Sequence, residues 1–309
     1  MRHLNSYPEV TVKDVKSFEC PYVAISALTH PGAVRDNNED QYAIIRRVRQ
    51  SEVLAKSFSI GDSDLRDDNL EAFWLLVADG LGGQVSGEVA SETAIRAVMQ
   101  YASEISSWIM RPLGEIRADL EKRLQLYGDA ISRAMRERVE ERPELTGMAT
   151  TLTSVYLFGN QAAVLNVGDS RTYLFRQREL TQLTEDHTLS QQLQRQGLPE
   201  KMADAYRNVV TRCFDTSGNA TAFDLSLVNL EEGDQLLLCS DGLSDMVSDT
   251  EMCQLFLRAS DVRSVCSDLV NAALRNGGRD NVTAVVATIG ELGDWAEFDT
   301  TESKPPTSN

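Results

Sequence analysis

Apolar runs of strand length recur along this chain, and an aspartate stands at the edge of one after another. Phe73-Trp-Leu-Leu-Val-Ala78 stops at Asp79-Gly80. Ala162-Ala-Val-Leu-Asn-Val167 stops at Gly168-Asp169, and Leu236-Leu-Leu-Cys239 runs into Ser240-Asp241-Gly242. Asp280-Asn281 immediately precedes Val282-Thr-Ala-Val-Val-Ala-Thr-Ile289, and Asp40 immediately precedes Gln41-Tyr-Ala-Ile-Ile45. The runs read as strands, most of them buried. A carboxylate at the margin of a core is costly to desolvate unless something compensates it. A single Asp-Gly is most often a turn. Five aspartates at strand termini fit better as a shared oxygen site for hard divalent cations, magnesium or manganese, which need no histidine.

The order of elements limits the fold further. Tyr22 to Leu28 is an early strand. After the run ending at Ala78 come two helical stretches. Ala90, Ala94, Val98, Tyr101, Ile105 and Trp108 share one face in the first. In the second, Pro112 suits the first turn, and Leu113, Ile116, Leu120, Leu124, Tyr127, Ile131, Ala134 and Met135 keep a 3.6-residue period. Such a pair predicts an antiparallel hairpin lying on an apolar surface. Strands return at Thr151 to Phe158, at Ala162 to Val167 across a Gly159-Asn160 turn, and at Thr172 to Phe175. Residues 188–208 are polar with helical tendency, a surface insert. A last helix spans about Val262 to Asn276 and ends at Gly277-Gly278. Strands, a helical pair, strands and a helix do not alternate as β-α-β. They predict an α+β layered fold with helices covering antiparallel sheets. No repeat or linker is evident, so residues 1–290 read as one catalytic domain and 291–309 as a disordered tail.

Charge excludes several partners. Lys plus Arg total 30 against 47 Asp plus Glu, a net charge of −17. Phosphate backbones and anionic lipid both reward clustered Lys and Arg, so neither nucleic acid nor a membrane surface is an expected partner. Hydrophobic residues make up 42%, enough for a globular core, so the acidity does not signal wholesale disorder. No stretch reaches the ~18 uninterrupted apolar residues of a membrane span. Met1 to Thr11 carries Arg2, Asn5, Pro8 and Glu9 and shows no apolar leader region. Five cysteines without a C-x-x-C pair read as reduced thiols, and the expected location is cytoplasmic.

Carboxylates could also form the acid/base pair of a glycosidase, but that chemistry needs two of them and gives no role to Arg35. A guanidinium beside an acidic cluster draws an anion into a site otherwise hostile to it. Arg35-Asp-Asn-Asn-Glu-Asp40 supplies both signs within six residues. On these residues alone, Arg35 reads equally well as half of a surface ion pair.

Seven motifs in order carry a family resemblance. They are Arg35-Asp-Asn-Asn-Glu-Asp-Gln41, Val77-Ala-Asp-Gly-Leu-Gly-Gly83, Gly147-Met-Ala-Thr-Thr151, Asn166-Val-Gly-Asp-Ser-Arg171, Leu183-Thr-Glu-Asp-His187, Ser240-Asp-Gly-Leu-Ser-Asp245 and Arg279-Asp-Asn-Val-Thr283. Over roughly residues 22–290 the chain resembles the metal-dependent serine/threonine protein phosphatases of type 2C, in their bacterial form. The resemblance implies a sandwich of two antiparallel sheets flanked by helical pairs, in α-β-β-α layers. It implies that Asp79 bridges two metal ions, with the Gly80 carbonyl on one. Asp40, Asp241 and Asp280 would complete the pair, and Asp169 with Asp241 would hold a third, weaker ion. Glu39 would hold a metal-bound water, Asn281 would support the ligands, and Arg35 would bind the substrate phosphate. A hydroxide bridging two Mn²⁺ or Mg²⁺ ions would attack phosphorus directly, without a protein nucleophile.

The chain departs from the family pattern in two places. Eukaryotic-type members often carry histidine after the Asp-Gly, where this chain has Leu81. His187 is a tempting substitute acid, but a structural hydrogen-bonding role is the better reading. Ser190 to Arg212, including Gly197 and Arg212, resembles the bacterial active-site flap, here an insert of about 188–212 that touches substrate. Its middle, Leu198 to Arg207, is less typical. The resemblance further implies phosphorylated proteins as substrates, plausibly a cognate serine/threonine kinase and its targets, and a monomer. The alternative on the same fold is a catalytically silent phosphoprotein-binding regulator. All of Asp40, Asp79, Asp241 and Asp280 are present, which favours an enzyme.

Overall fold

The computed structural model describes residues 9–49, 70–82, 86–104, 117–217 and 221–290. Its elements, in chain order, begin with strands β1 (Lys16–Cys20), β2 (Val23–His30), β3 (Gln41–Arg49), β4 (Leu70–Ala78) and β5 (Gly80–Leu81). Helices α1 (Ser86–Glu104) and α2 (Arg117–Glu141) follow, then β6 (Ala149–Thr150), β7 (Leu152–Phe158), β8 (Gln161–Val167), β9 (Arg171–Arg176) and β10 (Glu179–Gln182). The insert holds α3 (Leu189–Arg195) and α4 (Glu200–Ala203). The chain continues through β11 (Phe214–Asp215), β12 (Asp224–Asn229), β13 (Gln235–Cys239), α5 (Asp241–Ser244), α6 (Asp249–Arg258), α7 (Val262–Arg275) and β14 (Val282–Ile289).

Two large antiparallel sheets form the centre. One has the order β1-β2-β14-β13-β9-β10 and the other β12-β8-β7-β4-β3; β11-β6-β5 make a third, small sheet. Strand alternation explains why β4 is apolar on both sides. Phe73, Leu75 and Val77 join Ile25, Val155, Leu236 and Val285 between the large sheets. Trp74, Leu76 and Ala78 point the other way, into a layer with Ala94, Val98, Tyr127, Ile131 and Met135 of α1 and α2. On the outer face of the other sheet, Leu237, Val286 and Ala284 pack against Cys266, Leu269 and Val270 of α7. Helix, sheet, sheet and helix are thus stacked in four layers, as the family resemblance implied. Each large aliphatic side chain buried this way contributes roughly 1.5–3 kcal/mol.

The helical periodicity places Ala90, Ala94, Val98, Leu124, Tyr127, Ile131 and Met135 in buried positions. Ile105, Trp108, Pro112, Leu113, Ile116 and the tail 291–309 lie outside the described residues, as does the Leu120 side chain.

Register gathers the aspartates. Gln41 at the start of β3 pairs with Ala78 at the end of β4. Leu152 at the start of β7 pairs with Val167 at the end of β8. In the other sheet Cys239, ending β13, pairs with Ala284, and Val282, opening β14, pairs with His30. Antiparallel pairing therefore brings Asp40, Asp79 and Asp169 to one end of their sheet. It brings Asp241 and Asp280 together at the end of the other.

Candidate active site

The five carboxylates act on one another across the two sheets. The carboxyls of Asp79 and Asp241 interact directly. Burial, then repulsion from Asp40, Asp241 and Asp169, pushes Asp79 well above the usual carboxylate range. Asp169 is pushed up to about 8, mainly by burial and then by Asp241. Asp40 rises to about 7 and Asp241 to about 6, again chiefly by burial, with Asp280 adding repulsion to both. Carboxylates crowded together away from water resist ionisation. A divalent cation reverses that, since it rewards the ionised form.

The residues present fit such a group. Asp40 is 1% exposed, and its Oδ1 is buried with no hydrogen-bond partner. Its Oδ2 is fully engaged, accepting from Ser240 Oγ at 2.6 Å and Thr283 Oγ1 at 2.8 Å. A bare buried carboxylate oxygen beside four other aspartates is a donor set for a hard cation. Among the described residues the acidic groups do not already close into a cage of three or more ligands.

Asp40 and Asp79 are fixed from behind. Thr283 Oγ1, donating to Asp40, meets Thr29 Oγ1 at 2.7 Å, and Thr29 Oγ1 accepts from Asn38 Nδ2 at 2.7 Å. Thr151 holds Asp79 by its main chain: Asp79 N–H donates to Thr151 Oγ1 at 3.0 Å, and Thr151 N–H donates to Asp79 O at 2.9 Å. Two glycines permit close backbone approach here. A Cβ on Gly80 would stand 2.1 Å from Gly87 O, and one on Gly242 would stand 1.9 Å from Asn281 O. Sequence reasoning missed these hydroxyls, because their role depends on strand register between distant segments.

Asn281 clamps the loop that carries Arg35. Its Oδ1 accepts from Glu39 N–H at 2.7 Å, and its Nδ2 donates to Pro31 O at 3.0 Å and Asn37 O at 2.8 Å. Glu39 is 8% exposed and packs on the start of α1, where Ser91 Oγ donates to its carbonyl at 2.6 Å. Arg35 Nη2 donates to Asp280 Oδ2 at 2.7 Å, with both side chains substantially exposed. A cation thus stands at the solvent margin of the acidic cluster.

The insert faces the same cluster across a polar cavity of about 320 Å³, whose lining includes Asp169, Asp241, Thr188, Glu200, Asp204 and Arg207. Gly197 and Arg212, the two flap residues expected to touch substrate, are not part of that lining. Gly197, at φ 92°, follows the end of α3, where the left-handed backbone favours glycine. Arg212 Nη1 donates to Asp224 Oδ1 at 2.5 Å. A larger groove of about 840 Å³, lined by Leu124, Asn166, Phe223 and Asp224 among others, lies outside the acidic cluster. Arg207, 3.8 Å from Asp245 across the cavity, was not singled out from sequence. Nothing in the sequence reveals which insert arginine turns inward.

The Protein phosphatase 2C family model matches residues 60–281, more than half of the chain. The serine/threonine protein phosphatase PstP of Mycobacterium tuberculosis is 37% identical over 234 residues, 75% of this chain and 42% of that protein. The chain therefore spans less than half the length of that relative. The serine/threonine phosphatase stp of Listeria monocytogenes is 34% identical over 69% of this chain and 82% of its own length. A crystal structure of the PstP catalytic domain in complex with two manganese ions superposes with a TM-score of 0.66 at 33% identity. That match covers 87% of this chain and 99% of the other.

Proposed function

The chain belongs to the protein phosphatase 2C family, and on that premise we propose that it hydrolyses phosphoserine and phosphothreonine in proteins, using divalent cations held by the acidic cluster. The observation that carries this reading is the bare buried Oδ1 of Asp40 amid four further aspartates, with Arg35 at the solvent margin. Asp40, Asp79, Asp241 and Asp280 would hold two ions, with the Gly80 carbonyl beside Asp79, and Asp169 with Asp241 would hold a third. The two manganese ions of the PstP catalytic domain support a two-ion site. When bound, the ions supply Lewis acidity and a water of lowered pKa.

The chain's own groups do the rest. Arg35 binds the phosphoryl oxygens in place of its present partner Asp280, which would be among the residues that hold a cation. Asn281 holds the loop so that Arg35 and Asp40 keep one spacing. Glu39 orients water at the inner edge. The 320 Å³ cavity admits the substrate backbone beside Asp169 and Asp241. Its lining cannot bury a large apolar side chain, so it selects for an extended polar segment. Either manganese or magnesium would serve as the cation, and the cognate partner is a phosphorylated protein such as a serine/threonine kinase or its target. The silent-regulator alternative has no observation in its favour.

Purified protein is given a phosphothreonine peptide with Mn²⁺, with Mg²⁺ and with chelator. Phosphate release that depends on metal is the expected result; none under any condition would sink the enzyme reading.

A further inference from the structure

His187 joins the insert to the acidic cluster through four hydrogen bonds. Its N–H donates to Gly168 O at 2.9 Å, and its carbonyl accepts from Thr211 N–H at 2.7 Å. Ring Nδ1 accepts from Gly168 N–H at 3.0 Å, and ring Nε2 faces Asp224 Oδ2 at 2.9 Å. A backbone N–H can only donate, so Nδ1 carries the lone pair. The ring proton then sits on Nε2 and is given to Asp224. The side chain is 7% exposed, and burial holds the imidazole below its ordinary pKa, consistent with this neutral tautomer.

Both ends of the insert converge on this residue. Thr188, which follows His187 and caps α3, bridges to Val210. Arg212 shares Asp224 with the ring. On the other side stands Gly168, at φ 112°, with Asp169 next in the chain. A turn in that left-handed region fixes where the following carboxylate points.

We propose that His187 is a positioning residue for Asp169: it grips Gly168 on both its N–H and its carbonyl, and so aligns the acidic cluster with the base of the insert. This rests on the acidic cluster being the reacting site. The ring transfers no proton to substrate. Among the described residues its side chain presents an acceptor to Gly168 and a donor to Asp224 at once.

Two substitutions separate those halves. In His187→Asn the Oδ1 replaces Nδ1 as acceptor for Gly168 and the Asp224 contact is lost. In His187→Gln the amide reaches Asp224 and Gly168 N–H loses its acceptor. Both full-length variants are assayed on a phosphothreonine peptide at saturating Mn²⁺, and hydrogen exchange at Gly168 is followed in the metal-free proteins. His187→Gln is expected to lower kcat by about 10- to 100-fold with KM within about twofold, the size of loss seen when a ligand's supporting partner is removed. Its Gly168 amide should exchange at least about tenfold faster. His187→Asn should keep kcat within about threefold and keep the protection. Equal losses of kcat in both variants, or unchanged Gly168 exchange in His187→Gln, would overturn the proposal. If His187→Gln does not fold, hydrogen exchange at Gly168 in the wild-type protein decides: the amide must be protected by at least about tenfold, and exchange at the rate of an open loop amide overturns the proposal equally. Wild-type protein inactive with Mn²⁺ would instead overturn the phosphatase reading and leave the exchange comparison to decide the role of His187.

Discussion

Asp79, just past β4, and Asp241, just past β13, set their carboxyls against each other although they follow strands of different sheets. Two ionised carboxylates so placed away from water repel each other, so the pair marks a place where positive charge is wanted. Removing one charge should relieve the fold and remove the ion. Asp241→Asn is expected to leave the metal-free melting temperature unchanged or raised, and to lower kcat at least about 100-fold. A melting curve with and without Mn²⁺ and a phosphatase assay check this. Near-normal turnover would refute the ligand assignment.

The pH dependence of the metal-free protein follows from the same crowding. The folded pKa values of Asp40, Asp169 and Asp241 are raised, to about 7, about 8 and about 6. The folded chain therefore holds protons that the unfolded chain has released above the usual carboxylate range near 4. The contribution of these three carboxyls to stability therefore falls as pH rises from about 4 to 8, and it outweighs the opposite contribution of His30 and His187, whose folded pKa values are lowered by burial. Saturating Mn²⁺ binds the ionised form, so its stabilising shift should grow from pH 6 to pH 8. Thermal melts at both pH values test this; a metal-free protein more stable at pH 8 than at pH 6 contradicts it.

How much of this was legible in the sequence depended on range. The apolar runs at Phe73 to Ala78 and Val282 to Ile289, and the aspartates at their edges, are local patterns and fall where expected. Helix α6 was legible but overlooked: Ser248-Asp-Thr-Glu251 is a capping box, and Ser248 Oγ accepts from Glu251 N–H at 3.3 Å. Strand β1, with its exposed Lys16 and Glu19, has too weak an apolar pattern to be read. The roles of Ser240, Thr283 and Thr29 could not be read, because the Asp40 network joins residues up to 254 positions apart. The net charge of −17 is now seen to owe little to the site, since two divalent ions would offset only a small part of it.

Arg35 should separate binding from stability. Its ion pair with Asp280 is exposed, 50% and 39%, so losing it costs well under about 1 kcal/mol of folding free energy. Arg35→Ala is expected to raise KM for a phosphopeptide about tenfold or more with a smaller change in kcat and a melting temperature within a degree or two. Steady-state kinetics decide; an unchanged KM removes Arg35 from phosphate binding.

Asn281 should behave in the opposite way. Its amide makes three hydrogen bonds that tie β14 to the Pro31–Glu39 loop. Asn281→Ala leaves Glu39 N–H without that acceptor, a loss of roughly 2–4 kcal/mol from the hydrogen bonds and the orphaned groups together. A fall of several degrees in melting temperature, with weakened Mn²⁺ binding, is the expected outcome. A variant as stable as the parent would show that the loop is held by other contacts.

The central claim is that aspartates from both sheets hold a pair of cations on which phosphate-ester hydrolysis depends. Anomalous diffraction from manganese-soaked crystals tests it most directly. Two peaks within coordination distance of the Asp79 carboxylate, one also near Asp40 and both lost in Asp79→Asn, are predicted. Full occupancy elsewhere with none between Asp79 and Asp241, or peaks that persist in Asp79→Asn, would contradict it.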